Sequence, residues 1–407
     1  MANSLLSPTI ITREALRILH ANLNFISNVD KQYDPQFANS GASPSGKIGP
    51  SLTIRMPNQF TVRTGATFQA QGVTESSQVL TVSTQKGVDF TFSTSDLTLT
   101  IDEFSQRYLK PAMSVLATQI EADALNMVLD VYNAVDDNAN PLTYKDIANG
   151  RRLLNQYLAP DDGERVGIMS STQNVSFLDA IKGLFNPQET ISRPYLTGKI
   201  GKVSGINMYE NTVLQAFQSG TAAAVTGYTA NGATAQTGST IVIQTGTTTF
   251  LKGDIVTFGT VGANGVDAVD PETKSDRGFL QQFVVTANSG ASATSLSISP
   301  AIVTTGAAQN VTQGVGNTYT VNKVGGGASA LYLQSLLFHP EAFTFVTADL
   351  VDVSKFGAWG ARQVMDGISM RIARQYDIIN DVVPCRIDVL YGYKTLRPQL
   401  AVRVISQ

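Results

Sequence analysis

The chain has 407 residues, 43% of them hydrophobic and 15% charged, which suits a folded protein with two or three cores and excludes a disordered one. Its formal net charge of -3 supplies no overall cationic field, so a dedicated nucleic-acid reader is excluded and any such contact must rest on local patches. Cys385 is the only cysteine, which rules out an intrachain disulfide and a cysteine-rich zinc cage.

The first thirty residues carry Arg13, Glu14, Arg17 and Asp30 without an uninterrupted apolar stretch, and nowhere do eighteen apolar residues run together, so neither secretion nor membrane insertion is expected. Residues 12–28 predict an amphipathic helix, with Leu16, Leu19, Leu23 and Ile26 at steps of three and four. Its opposite face carries Arg13, Arg17 and His20, a solvated surface or a contact for an acidic partner. A short mobile arm is expected. "GASPSGKI", residues 41–48, follows a phosphate loop up to its last position, where Ile48 offers no hydroxyl for magnesium and no helix follows. A flexible linker fits it better.

Two alternating runs come next, Leu52, Ile54, Met56, Phe60 and Val62 in the first, and Val79, Val82, Val88, Phe90 and Phe92 in the second. They predict one long hairpin with an elaborate tip, which is marginal alone in water and needs another surface to lie on. A helical piece through Tyr108 and then a long helix opening near Pro111 are expected. Met113, Leu116, Ile120, Ala124, Met127, Val131 and Val135 form one apolar stripe on it, over about 37 Å at 1.5 Å per residue.

Residues 143–214 alternate helical and strand patterns, and Gly198, Gly201 and Gly205 mark tight turns rather than a dinucleotide fingerprint. From Gln215 to Ala330 charge becomes sparse, and short β-runs separated by turn residues predict a small antiparallel barrel or sandwich inserted through adjacent ends. His339-Pro340-Glu341 begins like a zinc-deaminase signature, but after Pro384-Cys385 the place of the second thiolate is held by Asp388. His339 is therefore read as ending a strand, with a short helical turn from Pro340. With His20 on a polar helix face, no histidine has an assembled site around it. The chain closes on strands whose Arg362, Arg371, Arg374 and Arg386 form a basic strip or pair with Asp366, Asp377, Asp381 and Asp388.

The order of these parts resembles the major capsid proteins of tailed bacteriophages with the Hong Kong 97-type fold. The resembling elements are the arm, the long hairpin, "LTIDEFSQRYLKPA" before the long helix, "GKIGKVSGINMYEN", "LLFHPEAFTFVTADL" and "RIDVLYGYKTLRPQLAVRV". The β-rich segment, with "LKGDIVTFGTV", is similar to the extra domain of the short-tailed-phage coat subfamily. The resemblance implies an α+β, Hong Kong 97-like capsid fold: N-terminal arm and linker 1–50, E-loop hairpin 51–95, P-domain with spine helix 96–140, A-domain 141–214 and 331–366, inserted small β-barrel 215–330, and P-domain strands 367–407.

It further implies a non-enzymatic major capsid protein without cofactor, found in the virion and assembled in the host cytoplasm as hexamers and pentamers of an icosahedral shell. Scaffolding protein, portal protein at one vertex and non-specifically held double-stranded DNA are the implied partners, with no membrane. Arg13, Arg17 and His20 become candidate scaffolding or interior contacts, and Arg63, Phe68 and Glu75 candidate inter-subunit contacts of the E-loop. Asp267, Asp270, Glu272, Lys274, Asp276 and Arg277 become a candidate inter-subunit loop of the insert. Some relatives crosslink the hairpin through a lysine–asparagine bond, but no lysine lies between Thr64 and Gln85 here. The alternatives are a secreted or surface-displayed β-rich adhesin or surface-layer protein, and a zinc-dependent hydrolase.

Overall fold

A computed structural model of the chain describes residues 8–21, 23–33, 50–68, 70–72, 75–93, 109–137, 140–181, 201–232, 234–244, 246–262, 264–351, 353–357, 359–365 and 368–406. The expected linker at 41–48, the helical piece through Tyr108 and Gly198 lie outside them. The chain divides into two units, residues 1–54, 77–125 and 343–396 in the first, and 55–76, 126–342 and 397–407 in the second.

The first unit is organised by the strand Val382–Thr395, whose alternation buries Cys385, Ile387, Val389 and Tyr391. Thr84–Ser93 pairs antiparallel along one of its edges, while Ile368–Arg374 and then Phe343–Ala348 share the other in succession. Trp359–Met365 extends the sheet beyond Ile368–Arg374. Helix α1 (Pro8–Ala21) buries Ala15, Leu16 and Leu19 against helix α2 (Lys110–Leu125) and the strand Trp359–Met365. Instead of projecting as an arm, this segment is docked on its own chain.

The helix also ends at Ala21 rather than near 28, for an electrostatic reason. The buried carboxylate of Glu121 on α2 accepts the backbone N–H groups of Asn24 at 3.1 Å, Phe25 at 2.5 Å and Ile26 at 3.4 Å. A continuing helix would have given those donors to carbonyls four residues back. The turn they form seats Phe25 edge-on against Phe343, with ring centroids 5.5 Å apart, and lets Phe345 donate its N–H to the Asp30 carbonyl at 3.1 Å.

The long hairpin expected over 51–95 is paired only at its base. Ser51–Arg55 meets Ser77–Thr81, and Ile54, Leu80 and Val82 pack with Val346 and Leu396. Thr84–Ser93 leaves the hairpin because Val382–Thr395 offers it a ten-residue ladder, reinforced by Lys86 on Asp123 at 2.7 Å. The long helix is likewise shorter than expected, sixteen residues or about 24 Å. Of the apolar stripe, Met113, Leu116, Ile120, Ala124, Met127 and Val131 are buried, and Val135 is half-buried. Past Leu125, however, the backbone tightens into a 3₁₀ turn, Asn126–Asp130, and then becomes the strand Ala134–Asp136. That strand lies parallel to Ala401–Ser406, so tertiary pairing overrides the helical pattern.

In the second unit a mixed sheet runs Ala134–Asp136, Ala401–Ser406, Leu331–Phe338, Val166–Met169, Ile206–Glu210 and Lys202–Val203. Helix α3 (Tyr144–Gln156) packs on it through Ile147, Leu153 and Leu154, and helix α4 (Ser171–Ile181) follows. Gly201 and Gly205 have φ of +75° and +82°, the left-handed backbone that the tight turns at the ends of Lys202–Val203 require.

Phe217–Gln218 pairs with Leu331 and Tyr332, which sets the two ends of the segment between them side by side. Inside that segment six antiparallel strands follow the order Gly238–Val242, Ser295–Ile302, Phe283–Val285, Ile255–Phe258, Thr320–Val324, Val225–Thr229. Its two outer strands also touch, through Asn231 N–H on the Val242 carbonyl at 3.0 Å and Gln244 N–H on Thr229 at 2.9 Å. Phe250, Phe258, Phe283, Ile298 and Val321 fill the core.

At the segment's ends the buried Lys323 ammonium donates to Ser219 Oγ at 3.0 Å, the Gly220 carbonyl at 3.1 Å and the Gly327 carbonyl at 2.8 Å. Asp254, buried beside it, accepts the Gly220 N–H at 3.0 Å and the Leu251 N–H at 2.8 Å. Burial pushes the Asp254 carboxyl up and the Lys323 ammonium down from their ordinary values, each opposed by the other's charge. Gly220 has no alternative residue, since a Cβ would stand 2.3 Å from the Thr249 carbonyl oxygen.

Glu121→Ala leaves three backbone donors beside an apolar cavity and is expected to destabilise the first unit by about 2–3 kcal/mol. Hydrogen exchange at Asn24, Phe25 and Ile26 should accelerate accordingly; unchanged exchange there contradicts the anchoring role.

Candidate subunit-contact surfaces

Beyond the hairpin base, pairing stops at the Met56 N–H on the Ser76 carbonyl, 2.9 Å. Side-chain hydrogen bonds rather than burial shape the rest. Thr61 donates its N–H to Gln71 Oε1 at 2.9 Å, and Gln71 Nε2 returns a bond to the Thr61 carbonyl. Phe60, Val62 and Phe68 stand 61%, 96% and 82% exposed. Three large apolar groups thus stand in water on one ribbon tip. Of the residues expected there, Phe68 is free. Arg63 instead folds back, donating to the carbonyls of Gly65 and, at 3.2 Å, Thr67. Glu75 closes the neck by pairing with Arg55 at 3.5 Å.

A second apolar projection escaped the sequence reading. The turn 376–381 joins Ile368–Arg374 to Val382–Thr395 and leaves Ile378 and Ile379 81% and 88% exposed. Asp377 shapes it by accepting the Ile379 N–H at 2.9 Å and Asn380 Nδ2 at 2.6 Å, while the Tyr376 hydroxyl donates to Asp381 at 2.9 Å. The legible signal was an isoleucine pair between turn-forming Asp and Asn residues, apolar where a turn is normally polar.

The charged candidates are less free than their spacing suggested. Arg13 and Arg17 are exposed on α1, but Arg17 is held by Glu14 through bonds of 3.0 and 2.8 Å. The side chain of His20 lies outside the described residues. In the loop 267–277, Asp267 is buried and accepts the Gly262 N–H at 2.8 Å. Asp270 accepts the Thr273 and Glu272 N–H groups at 2.9 Å and pairs with Arg277 at 2.9 Å. Arg277 itself sits over the Tyr157 ring, 5.6 Å from its centroid, and Lys274 donates to the Pro271 and Gln309 carbonyls at 2.7 and 3.2 Å. Glu272 and Asp276 present their charge outward.

On the closing strands Arg371 pairs with Asp388 at 2.6 Å as the spacing allowed, but Arg386 takes Asp89 through two 2.9 Å bonds and Arg362 takes Asp349 at 3.4 Å. Arg374 stacks on Trp359, 3.8 Å from the ring centroid. Asp377 and Asp381 are engaged within their own turn, and Asp366 lies outside the described residues.

His339 directly follows the strand Leu331–Phe338 and Pro340–Ala342 forms a 3₁₀ turn, as expected. Among the described residues Asp162, Glu164 and His339 place one ligand-type atom each within 4.8 Å of the others. Both ring nitrogens have partners within the chain: the Glu341 N–H reaches Nδ1 at 3.4 Å, and Nε2 lies 3.1 Å from Asp162 Oδ2. Cys385 is buried, which pushes its thiol up to about 11 and keeps it unreactive. No helix among the described residues is long and apolar enough to cross a membrane.

The family described as "P22 coat protein - gene protein 5" matches residues 1–404. Among solved structures, the chain is similar to that of Mycobacterium phage Che8 (12% identity, TM-score 0.48, covering 94% of this chain and 90% of that one). It is also similar to the capsid of Cyanophage P-SCSP1u (10% identity, TM-score 0.43, 88% and 84%) and to the mature capsid of bacteriophage PhiM1 (12% identity, TM-score 0.42, 88% and 82%). No curated protein matches the chain.

Asp270 yields a pH test. The Thr273 N–H, the Arg277 guanidinium and the Glu272 N–H hold its carboxyl well below 3.8. Because the folded value is depressed, its stabilisation is complete above the unfolded value and fades as pH falls below about 4. Urea unfolding should therefore show Asp270→Asn less stable than wild type at pH 6, with the gap narrowing at pH 3; a gap that widens on acidification contradicts this.

Proposed function

Since the chain belongs to the P22 coat protein family, and is accordingly a tailed-phage major capsid protein whose copies build an icosahedral shell in the virion, we propose that its two exposed apolar tips join those copies. The observation that carries this reading is the exposure of Phe60, Val62 and Phe68 on a ribbon whose neck is already paired. A two-stranded ribbon is marginal alone in water, and burying its apolar tip on a sister subunit is worth about 25 cal/mol per Å². Ile378 and Ile379 provide a second point of contact of the same kind. With no lysine between Thr64 and Gln85, the joint is non-covalent.

The arrangement is read as a Hong Kong 97-like fold, with 51–81 as E-loop, Thr84–Ser93, 96–140 and 367–407 as P-domain, 141–214 and 331–366 as A-domain, and 1–50 as an N-terminal segment docked through α1 on its own chain. Segment 215–330 is the inserted β-barrel. The six-stranded order, the contact between its outer strands and the adjacent ends at Phe217 and Leu331 support that part. Copies form hexamers and pentamers, assemble in the host cytoplasm on a scaffolding protein, leave one vertex to a portal and hold double-stranded DNA without sequence preference. Arg13 is the freer scaffolding contact, since Arg17 is engaged by Glu14. Glu272 and Asp276 are the outward charges with which the insert loop meets a neighbour. The role is structural rather than catalytic.

Two variants test this, Val62→Ser with Phe68→Ala, and Ile378→Ser with Ile379→Ser. Monomer unfolding should stay within about 0.5 kcal/mol of wild type, because these are surface changes. Sedimentation and negative-stain imaging should show shell formation strongly reduced for both, whereas shells of wild-type yield from both would refute the reading.

A further inference from the structure

The loop between α3 and the strand Val166–Met169 contains Asp161, Asp162, Gly163 and Glu164 in succession, and the strand Leu331–Phe338 pairs with Val166–Met169 so that Phe338 lies opposite Val166. That register brings His339 to Asp162 although 177 residues separate them. The imidazole is buried, so its direction is set before anything binds, and its Nε2 stands 3.1 Å from Asp162 Oδ2. Asp162 is held as well, because its Oδ1 accepts the Glu164 N–H at 2.9 Å. The Glu164 carboxylate is exposed and has no bonding partner among the described residues, and it completes three ligand-type atoms within 4.8 Å of one another. The two arginines of this region are engaged elsewhere: Arg151 holds Asp161 at 3.2 Å, and Arg165 donates to the Pro160 and Ala159 carbonyls at 2.7 Å. Lys202 remains as a competing charge, its ammonium 3.5 Å from where a Cβ on Gly163 would stand.

We propose that Asp162, Glu164 and His339 form a site for a divalent transition-metal ion of the zinc type, held by one imidazole nitrogen and two carboxylate oxygens with water filling the remaining positions. Zinc bound at about 2.0–2.2 Å by such ligands sets two of them about 3.3 Å apart at the tetrahedral angle. The 3.1 Å between Nε2 and Oδ2 is close to that separation. The ion takes the place of the proton between those atoms, and the ring proton then sits on Nδ1, which gives up the long 3.4 Å contact with the Glu341 N–H. Glu164 swings in from solvent to close the site. A nitrogen ligand favours zinc over magnesium and calcium, which take oxygen shells. The ion's effect is structural and belongs to the single chain, apart from the shell reading. It pins the loop after α3 to the end of the strand that returns from the β-rich segment, and a metal clip that closes a long loop is the kind that stabilises most.

The test titrates zinc chloride into the full chain after chelator treatment. Isothermal titration should show a single ion per chain, and the thermal unfolding midpoint should rise with zinc and return when chelator is added. Calcium chloride at the same concentration should produce neither change. Outer-shell partners of a metal are already worth about tenfold or more in affinity, so Glu164→Gln and His339→Gln, which remove ligands, should each weaken zinc binding by at least about tenfold. Glu164→Gln alters an exposed group without a bonding partner, so its chelated form should unfold like wild type. That variant keeps the test decisive where the buried His339 does not tolerate replacement. His20→Gln, which removes the only other histidine, should bind zinc as wild type does. No saturable zinc binding by wild type, wild-type affinity in either ligand variant, calcium bound as tightly as zinc, or the same loss in His20→Gln overturns the proposal.

Discussion

A ribbon that is paired at its neck and bare at its tip sets the physical problem this protein has to solve. Phe60, Val62 and Phe68 are held in water by a frame of local hydrogen bonds, Thr61 with Gln71 and Arg63 with the Gly65 and Thr67 carbonyls, so the tip has shape without cover. Exposed apolar area on a shaped, extended element favours association and penalises solitary existence. On the proposed reading, the same surface repeated at fixed geometry becomes a joint between coat subunits.

Within each unit, buried polar anchors fix the packing. Glu121 clamps the turn after α1 onto α2 by three backbone donors. Lys323 and Asp254 fasten the two ends of the β-rich segment through Ser219, Gly220, Leu251 and Gly327. Deeper in the second unit, Arg403 is fully buried, donating to the Gly253 carbonyl at 2.8 Å and to Gln334 at 3.3 Å. Each of these groups is costly to bury and more costly to leave unpaired, so each fixes one geometry rather than adding much net stability.

Local periodicity made part of this legible. The stripe from Met113 to Val131 is buried, His339 directly follows a strand, and Gly201 and Gly205 turn with positive φ, all because these features depend on neighbours a few residues away. What could not be read depends on partners far along the chain. Asp89 and Arg386 are 297 residues apart, and Glu121 meets the turn after α1 from about a hundred residues away. A glutamate on a helix looks like solvated surface until the donors it takes are known. The same limit made Thr84–Ser93 look like half of a hairpin, since only the position of Val382–Thr395 reveals the better ladder. Of the candidate contact residues, Phe68 is exposed, whereas most of the charges from Asp267 to Arg277 are engaged within the chain, because bonding partners in and around the loop lie within reach.

The account stands or falls on whether sister copies cover the ribbon tip. An electron cryomicroscopy reconstruction of assembled shells decides it: Phe60, Val62 and Phe68 should be buried against an adjacent subunit, and finding all three still facing solvent in the closed shell would contradict the account.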